Sequence, residues 1–262
     1  MPRLRLDQLL VERGLAPSRA VAQAMLLAGE VELEGKGRSL KPGNLVPADV
    51  QLAVRQRSRW ASRAGEKLEA ALNAFGVDAT GLTALDAGAS TGGFTDVLLA
   101  RGASRVYAVD VGRAQLVDRL RRDPRVVSME RTNLRTLESL PEPVQMATLD
   151  LSFISLRLAL PTVRRLLTTD GRVIALVKPQ FEAGKDAVPR GGVIRDPAVH
   201  AAVLRQFAAD AAESGFGIIG LMRSPLTGTD GNFEFLAHLA EAAGMAPEAL
   251  EERIEVLTAP SG

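Results

Sequence analysis

Short apolar runs that stop at a charged residue recur through most of the chain. Leu82 to Leu85 runs into Asp86, Arg105 to Val109 into Asp110, and Val126 to Met129 into Glu130. Gln145 to Leu149 runs into Asp150, and Val173 to Val177 into Lys178. Runs of this length, bounded by charge and glycine, fit strands buried on both faces. Helical patterns separate them: Ala70, Ala71, Leu72 and Phe75 before Gly76; Phe94 with Val97, Leu98 and Leu99; Gln115 to Leu120; Val163 to Leu167 before Asp170-Gly171. The alternation predicts an α/β fold, a doubly wound and mostly parallel sheet with helices on both faces. A helix over His200 to Ala212 follows, with Asp196-Pro197 at its start. Phe216 to Met222 and Asn232 to His238 read as two more strands, and the helix-free connection between them predicts antiparallel pairing. Pro247 to Leu257 reads as a closing helix.

Residues 1–54 have a different texture and read as a separate small α+β domain. Leu6, Leu9 and Leu10 before Arg13-Gly14 predict a short helix and its stop. Ser18 suits the N-cap of a second helix with Val21, Ala22, Met25 and Leu26 on its apolar face, ended by Gly29. Val31 and Leu33, then Val46, Val50, Leu52 and Val54, predict short strands. Residues 55–61 are polar, basic and unpatterned and read as a linker, in which Trp60 suits packing between domains. Residues 62–262 form the second domain. The stretch Glu182 to Asp196, rich in glycine and charge, is too long for an ordinary connector and is a candidate active-site loop.

Composition narrows the chemistry. The absence of cysteine excludes disulfides, thiolate metal sites and a cysteine nucleophile, and two histidines make a histidine metal centre a poor reading. No metal is expected. No signal-peptide pattern or apolar run of transmembrane length is present, so the expectation is a soluble, cytoplasmic protein without a membrane partner. A net charge of +1 hides an asymmetry. Residues 1–63 carry eleven Lys/Arg against six Asp/Glu, and the remainder 21 against 25. A basic module on a slightly acidic body suggests nucleic-acid binding.

The stretch Asp86-Ala87-Gly88-Ala89-Ser90-Thr91-Gly92-Gly93-Phe94-Thr95 is a strand, a tight glycine turn and a helix start. Its spacing is neither the dinucleotide G-x-G-x-x-G nor a P-loop. Asp86, Asp110, Asp150 and Lys178 all sit at carboxyl ends of strands, where open α/β sheets bind ligands. Pro179 holds Lys178 in extended geometry, which suits a rigidly placed base.

The turn resembles the first motif of S-adenosylmethionine-dependent methyltransferases. That resemblance implies S-adenosyl-L-methionine as cofactor, with Asp86, Gly88, Ser90, Thr91, Gly92 and Gly93 at its methionine half. Asp110 would take the ribose, and Glu130 and Asn133 would lie near the adenine. Arg5-Leu6-Asp7-Gln8-Leu9-Leu10, Ser18-Arg19 and Gly29-Glu30-Val31 with Gly35 resemble the S4 RNA-binding domain. Arg5, Arg19, Lys36, Arg38 and Lys41 then become candidate phosphate contacts, joined by Arg57, Arg59 and Arg63 around the linker.

Ser62-Arg63-Ala64-Gly65-Glu66-Lys67-Leu68, Asp150-Leu151-Ser152-Phe153-Ile154-Ser155, Lys178-Pro179-Gln180-Phe181-Glu182 and Gly231-Asn232-Phe233-Glu234 resemble the Lys-Asp-Lys-Glu tetrad of FtsJ-type 2′-O-ribose methyltransferases. With the S4-like segment, the whole resembles the TlyA, or haemolysin-like, family of rRNA methyltransferases. Ala64-Gly65 departs from the family pattern, where glycine is expected first. The resemblance implies a seven-stranded Rossmann-like sheet with an antiparallel last strand, and Lys67, Asp150, Lys178 and Glu234 as catalytic residues. Lys178 would be the base and Lys67 would steer the ribose or its phosphate. The implied activity is 2′-O-methylation of cytidine in 16S and/or 23S rRNA, with rRNA or ribosomal subunits as partners. The oligomeric state is open, a monomer being compatible. Two other classes compete. A non-catalytic RNA-binding assembly factor has no need of the tetrad. A membrane-active haemolysin would need an amphipathic or long apolar segment that the sequence lacks.

Overall fold

Two units divide the chain, Met1–Arg59 and Trp60–Gly262. The structure is a computed structural model. It describes every residue except 1–2, 28–30, 34–39, 55–57, 114, 185–186, 229–230, 242–243 and 260–262.

The first unit runs β1 (Arg3–Arg5), α1 (Leu6–Glu12), α2 (Arg19–Leu27), β2 (Val31–Leu33), β3 (Leu45–Pro47) and β4 (Leu52–Val54). Two small antiparallel ladders form, β1 with β3 and β2 with β4. Leu6, Leu9 and Leu10 of α1 meet Ala22 and Leu26 of α2 over Val31, Leu33 and Val46. The heptad-like spacing of these residues puts them on facing helix stripes. Val21, expected on the buried stripe, is exposed, because α2 packs through Ala22 and Leu26. Ser18 Oγ accepts a hydrogen bond from the Val21 N–H at 3.3 Å, as an N-cap should. Gly29 lies outside the described residues.

The second unit begins with α3 (Ala64–Phe75), β5 (Thr83–Ala87), α4 (Gly93–Ala100), β6 (Arg105–Val109) and α5 (Asp118–Arg121). It continues with β7 (Val126–Met129), β8 (Val144–Leu149), α6 (Leu160–Leu166), β9 (Leu167–Val177) and α7 (Pro179–Glu182). It closes with α8 (Pro197–Glu213), β10 (Phe216–Arg223), β11 (Phe235–Glu241) and α9 (Pro247–Thr258). One seven-stranded sheet has the order β10-β11-β9-β8-β5-β6-β7. Only β11 runs against its neighbours, between β9 and β10. The central strands are mainly apolar because both faces of the sheet are covered there. Along β6, Val106 and Ala108 enter the core under α3 and α4, while Tyr107 and Val109 enter the core under α6, α8 and α9. Trp60 and Ala61, placed in the linker by pattern alone, pack against the α3–α4 core.

Three elements differ from the sequence reading. The helix expected over Gln115 to Leu120 shrinks to the four residues of α5. The preceding segment instead bonds to the glycine turn, with the Val117 N–H on the Thr91 carbonyl at 3.2 Å. The strand expected from Asn232 starts at Phe235, because the Asn232 amide is spent elsewhere. Its Oδ1 accepts from the Ile194 N–H at 2.9 Å and its Nδ2 donates to the Gly192 carbonyl at 2.8 Å. Finally, β9 begins six residues earlier than Val173, at Leu167.

Candidate active site

Strand register brings the charged strand ends together. Ala87 is level with Val109 on one side and Leu149 on the other, and Val177 is level with Phe235. Gly88, Asp110, Asp150, Lys178 and Glu234 therefore emerge at one end of the sheet. A cavity of about 440 Å³ opens there, lined by Gly88, Ser90, Asp110, Asn133 and Asp150 among others.

The glycine turn takes its shape from backbone freedom. Gly88 has φ +84°, and a Cβ there would lie 2.4 Å from the Asp150 carbonyl oxygen. Only glycine lets the two strand ends approach so closely. The Asp110 carboxylate then fixes the turn, accepting from the Ser90 N–H at 2.8 Å and the Gly112 N–H at 2.6 Å. Thr91, Gly92 and Gly93 do not line the cavity. Gly92 caps α4 in the left-handed region, and Gly93 makes room for α3, since a Cβ there would lie 2.3 Å from Ser62 Oγ. Glu130 also stays out of the cavity wall, whereas Thr132, Asn133 and Leu134 enter it. Asn133 Oδ1 accepts from the Arg135 N–H at 3.0 Å, capping the short 3-10 helix Leu134–Thr136 that follows β7.

Asp86 departs most from its expected place. It lies inside β5, fully buried, and contributes nothing to the cavity wall. Thr95 Oγ1 donates to its Oδ2 at 2.6 Å and Thr148 Oγ1 to its Oδ1 at 3.2 Å. It stands as a strut beneath the turn. Burial pushes its carboxyl from 3.8 up to about 7, against the two threonine hydroxyls, which favour the charged form. The folded chain thus keeps a proton that the unfolded chain releases above about 4. Stability accordingly declines as pH rises from about 4 to about 7. Asp86→Asn should flatten this part of the profile, measured by denaturant unfolding at pH 5 and pH 8. An unchanged difference between the two pH values would mean that Asp86 is ionised throughout.

The four residues of the implied tetrad form two ion pairs. Lys67 Nζ meets Glu234 Oε2, and both side chains are buried. Lys178 Nζ lies 2.6 Å from Asp150 Oδ1, without hydrogen-bond alignment, and donates to Ser152 Oγ at 3.0 Å. Lys67 rides on the first turns of α3, whose position is set by contact. A Cβ on Gly65 would lie 2.5 Å from Trp60, and Trp60 Nε1 donates to Glu69 Oε2 at 3.3 Å.

Several residues here escaped sequence reasoning. Gln115, Arg135 and Ser152 line the cavity. Phe153 stands at its rim, 91% exposed, with φ +64° and its ring 5.0 Å from that of Phe181. A bulky side chain at positive φ is uncommon and marks a functional candidate. Glu182 accepts from Ser155 Oγ at 2.7 Å and from the Leu156 N–H at 2.9 Å, tying the loop after β8 to the turn after β9. Burial raises its carboxyl despite those two bonds. The loop Glu182 to Asp196 lines none of the cavity among its described residues. Its far end is held by Asn232, two residues before Glu234.

The candidate RNA contacts lie mostly in the first unit. Arg5 and Arg19 both pair with Asp7, at 3.0 Å and 3.1 Å, with their side chains 46% and 56% exposed. Lys41 and Arg59 are exposed, and Arg63 is half-buried at the start of α3. Lys36, Arg38 and Arg57 lie outside the described residues. Among the described residues, no group of three or more acidic or histidine side chains could hold a metal, and no helix is long and apolar enough to cross a membrane.

A doubly wound sheet with one reversed strand, a glycine turn and a cavity at the strand tips defines the methyltransferase class. The profile described as FtsJ-like methyltransferase matches residues 60–241, and that of the S4 domain residues 4–38. The chain belongs to the FtsJ-like methyltransferase family, in its S4-bearing TlyA branch. It is similar, at 46% identity over 241 residues, to the 16S/23S rRNA (cytidine-2′-O)-methyltransferase TlyA of Mycobacterium tuberculosis (strain ATCC 25618 / H37Rv). That match covers 90% of either chain. A Bacillus subtilis (strain 168) protein, provisionally named rRNA methyltransferase YqxC, is 49% identical over 90% of this chain and 85% of its own. A solved Streptococcus thermophilus protein, provisionally named a hemolysin, superposes with TM-score 0.76 at 41% identity, covering 98% of this chain and 96% of that one.

Proposed function

We propose that the protein transfers the methyl group of S-adenosylmethionine to the 2′-hydroxyl of a cytidine ribose in 16S and/or 23S rRNA. The observation that carries this reading is the pairing of two buried lysines with two carboxylates beside the cavity at the strand tips. The residues present fit the cofactor. Gly88 offers backbone without a side chain, Asp110 keeps lone pairs for ribose hydroxyls, and Asn133 with Leu134 makes a partly apolar wall for a base. The cofactor supplies an electrophilic methyl on a sulfonium.

A ribose hydroxyl is a weak nucleophile while it keeps its proton. Lys178 would accept that proton at Nζ as the hydroxyl oxygen takes the methyl group. Asp150 and Ser152 hold Nζ in place, and Asp150 then partners the ammonium that results. Lys67, held by Glu234, sets positive charge beside the ribose or its phosphate. Phe153 offers an exposed ring on which an unstacked base could rest, since modifying a nucleotide within a fold requires drawing it out. The relatives named for rRNA cytidine methylation and the basic S4 unit support the substrate. Localisation in the cytoplasm, where ribosomes are made, follows from the same reading.

The test is transfer of labelled methyl from S-adenosylmethionine to unmodified 30S and 50S subunits. Label on a cytidine 2′-oxygen is expected in at least one subunit. RNA binding with no label on either would favour the assembly-factor reading.

A further inference from the structure

A buried carboxylate sits among the cations of the S4 unit, and it has four donors. Arg5 Nε donates to Asp7 Oδ1 at 3.0 Å, and Arg5 Nη2 donates to Oδ2 at 3.0 Å. Arg19 Nη2 and Gln23 Nε2 also donate to Oδ2, at 3.1 Å and 2.9 Å. Asp7 has no exposed surface, whereas both arginine side chains are about half exposed. Two cations are thereby held within about 3 Å of one oxygen, on side chains that stay partly exposed. Each guanidinium has five N–H donors, so several remain on each beyond those given to Asp7. The turn beneath is tied in as well. The Asp7 N–H donates to the Pro42 carbonyl at 3.2 Å, and a Cβ on Gly43 would lie 3.6 Å from Arg5 Nη1. Exposed Lys41 flanks that same turn.

We infer that Asp7 is the positioning residue of a two-arginine site for one backbone phosphate of RNA. The inference rests on the reading of this unit as RNA-binding. Long arginine side chains lose rotamer freedom when they grip a ligand, and prior fixation removes much of that loss. Gln23, one helical turn after Arg19 on α2, completes the cradle without adding charge. On charge alone, an acid on an RNA-binding face weakens binding, and removing it should strengthen binding. Orientation predicts the opposite sign, and this separates the two accounts.

The experiment measures binding of the full chain to unmodified 30S and 50S subunits across 50–200 mM salt. Arg5→Ala/Arg19→Ala should weaken binding and reduce the salt slope by roughly one, as for the loss of one phosphate contact. Asp7→Asn should weaken it about tenfold, the loss expected from about one immobilised side chain. Added to the double-alanine background, Asp7→Asn should then change nothing. S-adenosylmethionine binding serves as the control and should stay constant. Wild-type or tighter binding by Asp7→Asn overturns the inference. So does equal weakening in both backgrounds, which would mean a merely structural role or loss of the unit's fold. If the double-alanine variant binds like wild type, the RNA-face reading itself fails, a result distinct from failure of Asp7 alone.

Discussion

Lys178→Ala lowers the single-turnover rate of methyl transfer by about 10³-fold, the middle of the range for losing a positioned general base. Cofactor affinity is expected to stay within about twofold, a shift of no more than about 0.4 kcal/mol. The residue is not among those lining the 440 Å³ cavity. Its Nζ instead reaches Asp150 and Ser152, which do line it. Two companion variants sharpen the result. Lys178→Arg keeps the positive charge but cannot serve as a base, because a guanidinium stays protonated. Activity near that of alanine would identify proton acceptance as the lost step, and near-wild-type activity would reduce Lys178 to an electrostatic role. Removing Lys178 also leaves Asp150 without its cation, so the alanine variant should unfold at lower temperature. Lys178→Met/Asp150→Asn replaces both charges and should regain stability without regaining activity. Recovery of activity with stability would show that the single variant failed through unfolding.

Much of this arrangement was legible because burial on both faces leaves a plain trace. A two-sided strand reads as an apolar run, and the first charge after it marks the rim, as at Asp110, Asp150 and Lys178. The same rule misplaced Asp86, because an acid one residue inside the strand looks no different from one just beyond it. What distinguishes them is the pair of hydroxyls from Thr95 and Thr148, which only the fold brings near. Lys67 and Glu234 stand 167 residues apart, so no local pattern joins them, and resemblance to a family supplied the link. Gln115 was hidden for a different reason. Its segment has helical periodicity, yet the backbone bond from Val117 to Thr91 draws it onto the glycine turn. Glu182 and Asp7 were legible as charges, but not as a half-buried and a fully buried one. Their partners come from other loops and helices, and burial decides their function.

Gly88→Ala should cost about 2–4 kcal/mol of stability and weaken cofactor binding by about 100-fold. The new methyl would meet the Asp150 carbonyl oxygen at 2.4 Å, well inside contact distance. Backbone is the obstacle, so no side chain can swing aside. Neither partner is free to retreat. The Gly88 N–H donates to the Val109 carbonyl at 2.9 Å, and the Asp150 N–H to the Ala87 carbonyl at 3.0 Å. Displacing Asp150 would also carry the partner of Lys178 out of place, so transfer should fall further than cofactor binding alone accounts for. Part of the cost is simply the left-handed backbone, which any alanine pays. Gly81→Ala isolates that part, since Gly81 has φ +74° with nothing within 4 Å of a Cβ. It should lose about 1–2 kcal/mol of stability and keep its cofactor affinity. Calorimetric titration of S-adenosylmethionine into both variants decides the matter. Equal affinities would mean that the close approach of the two strand ends plays no part in building the cofactor site.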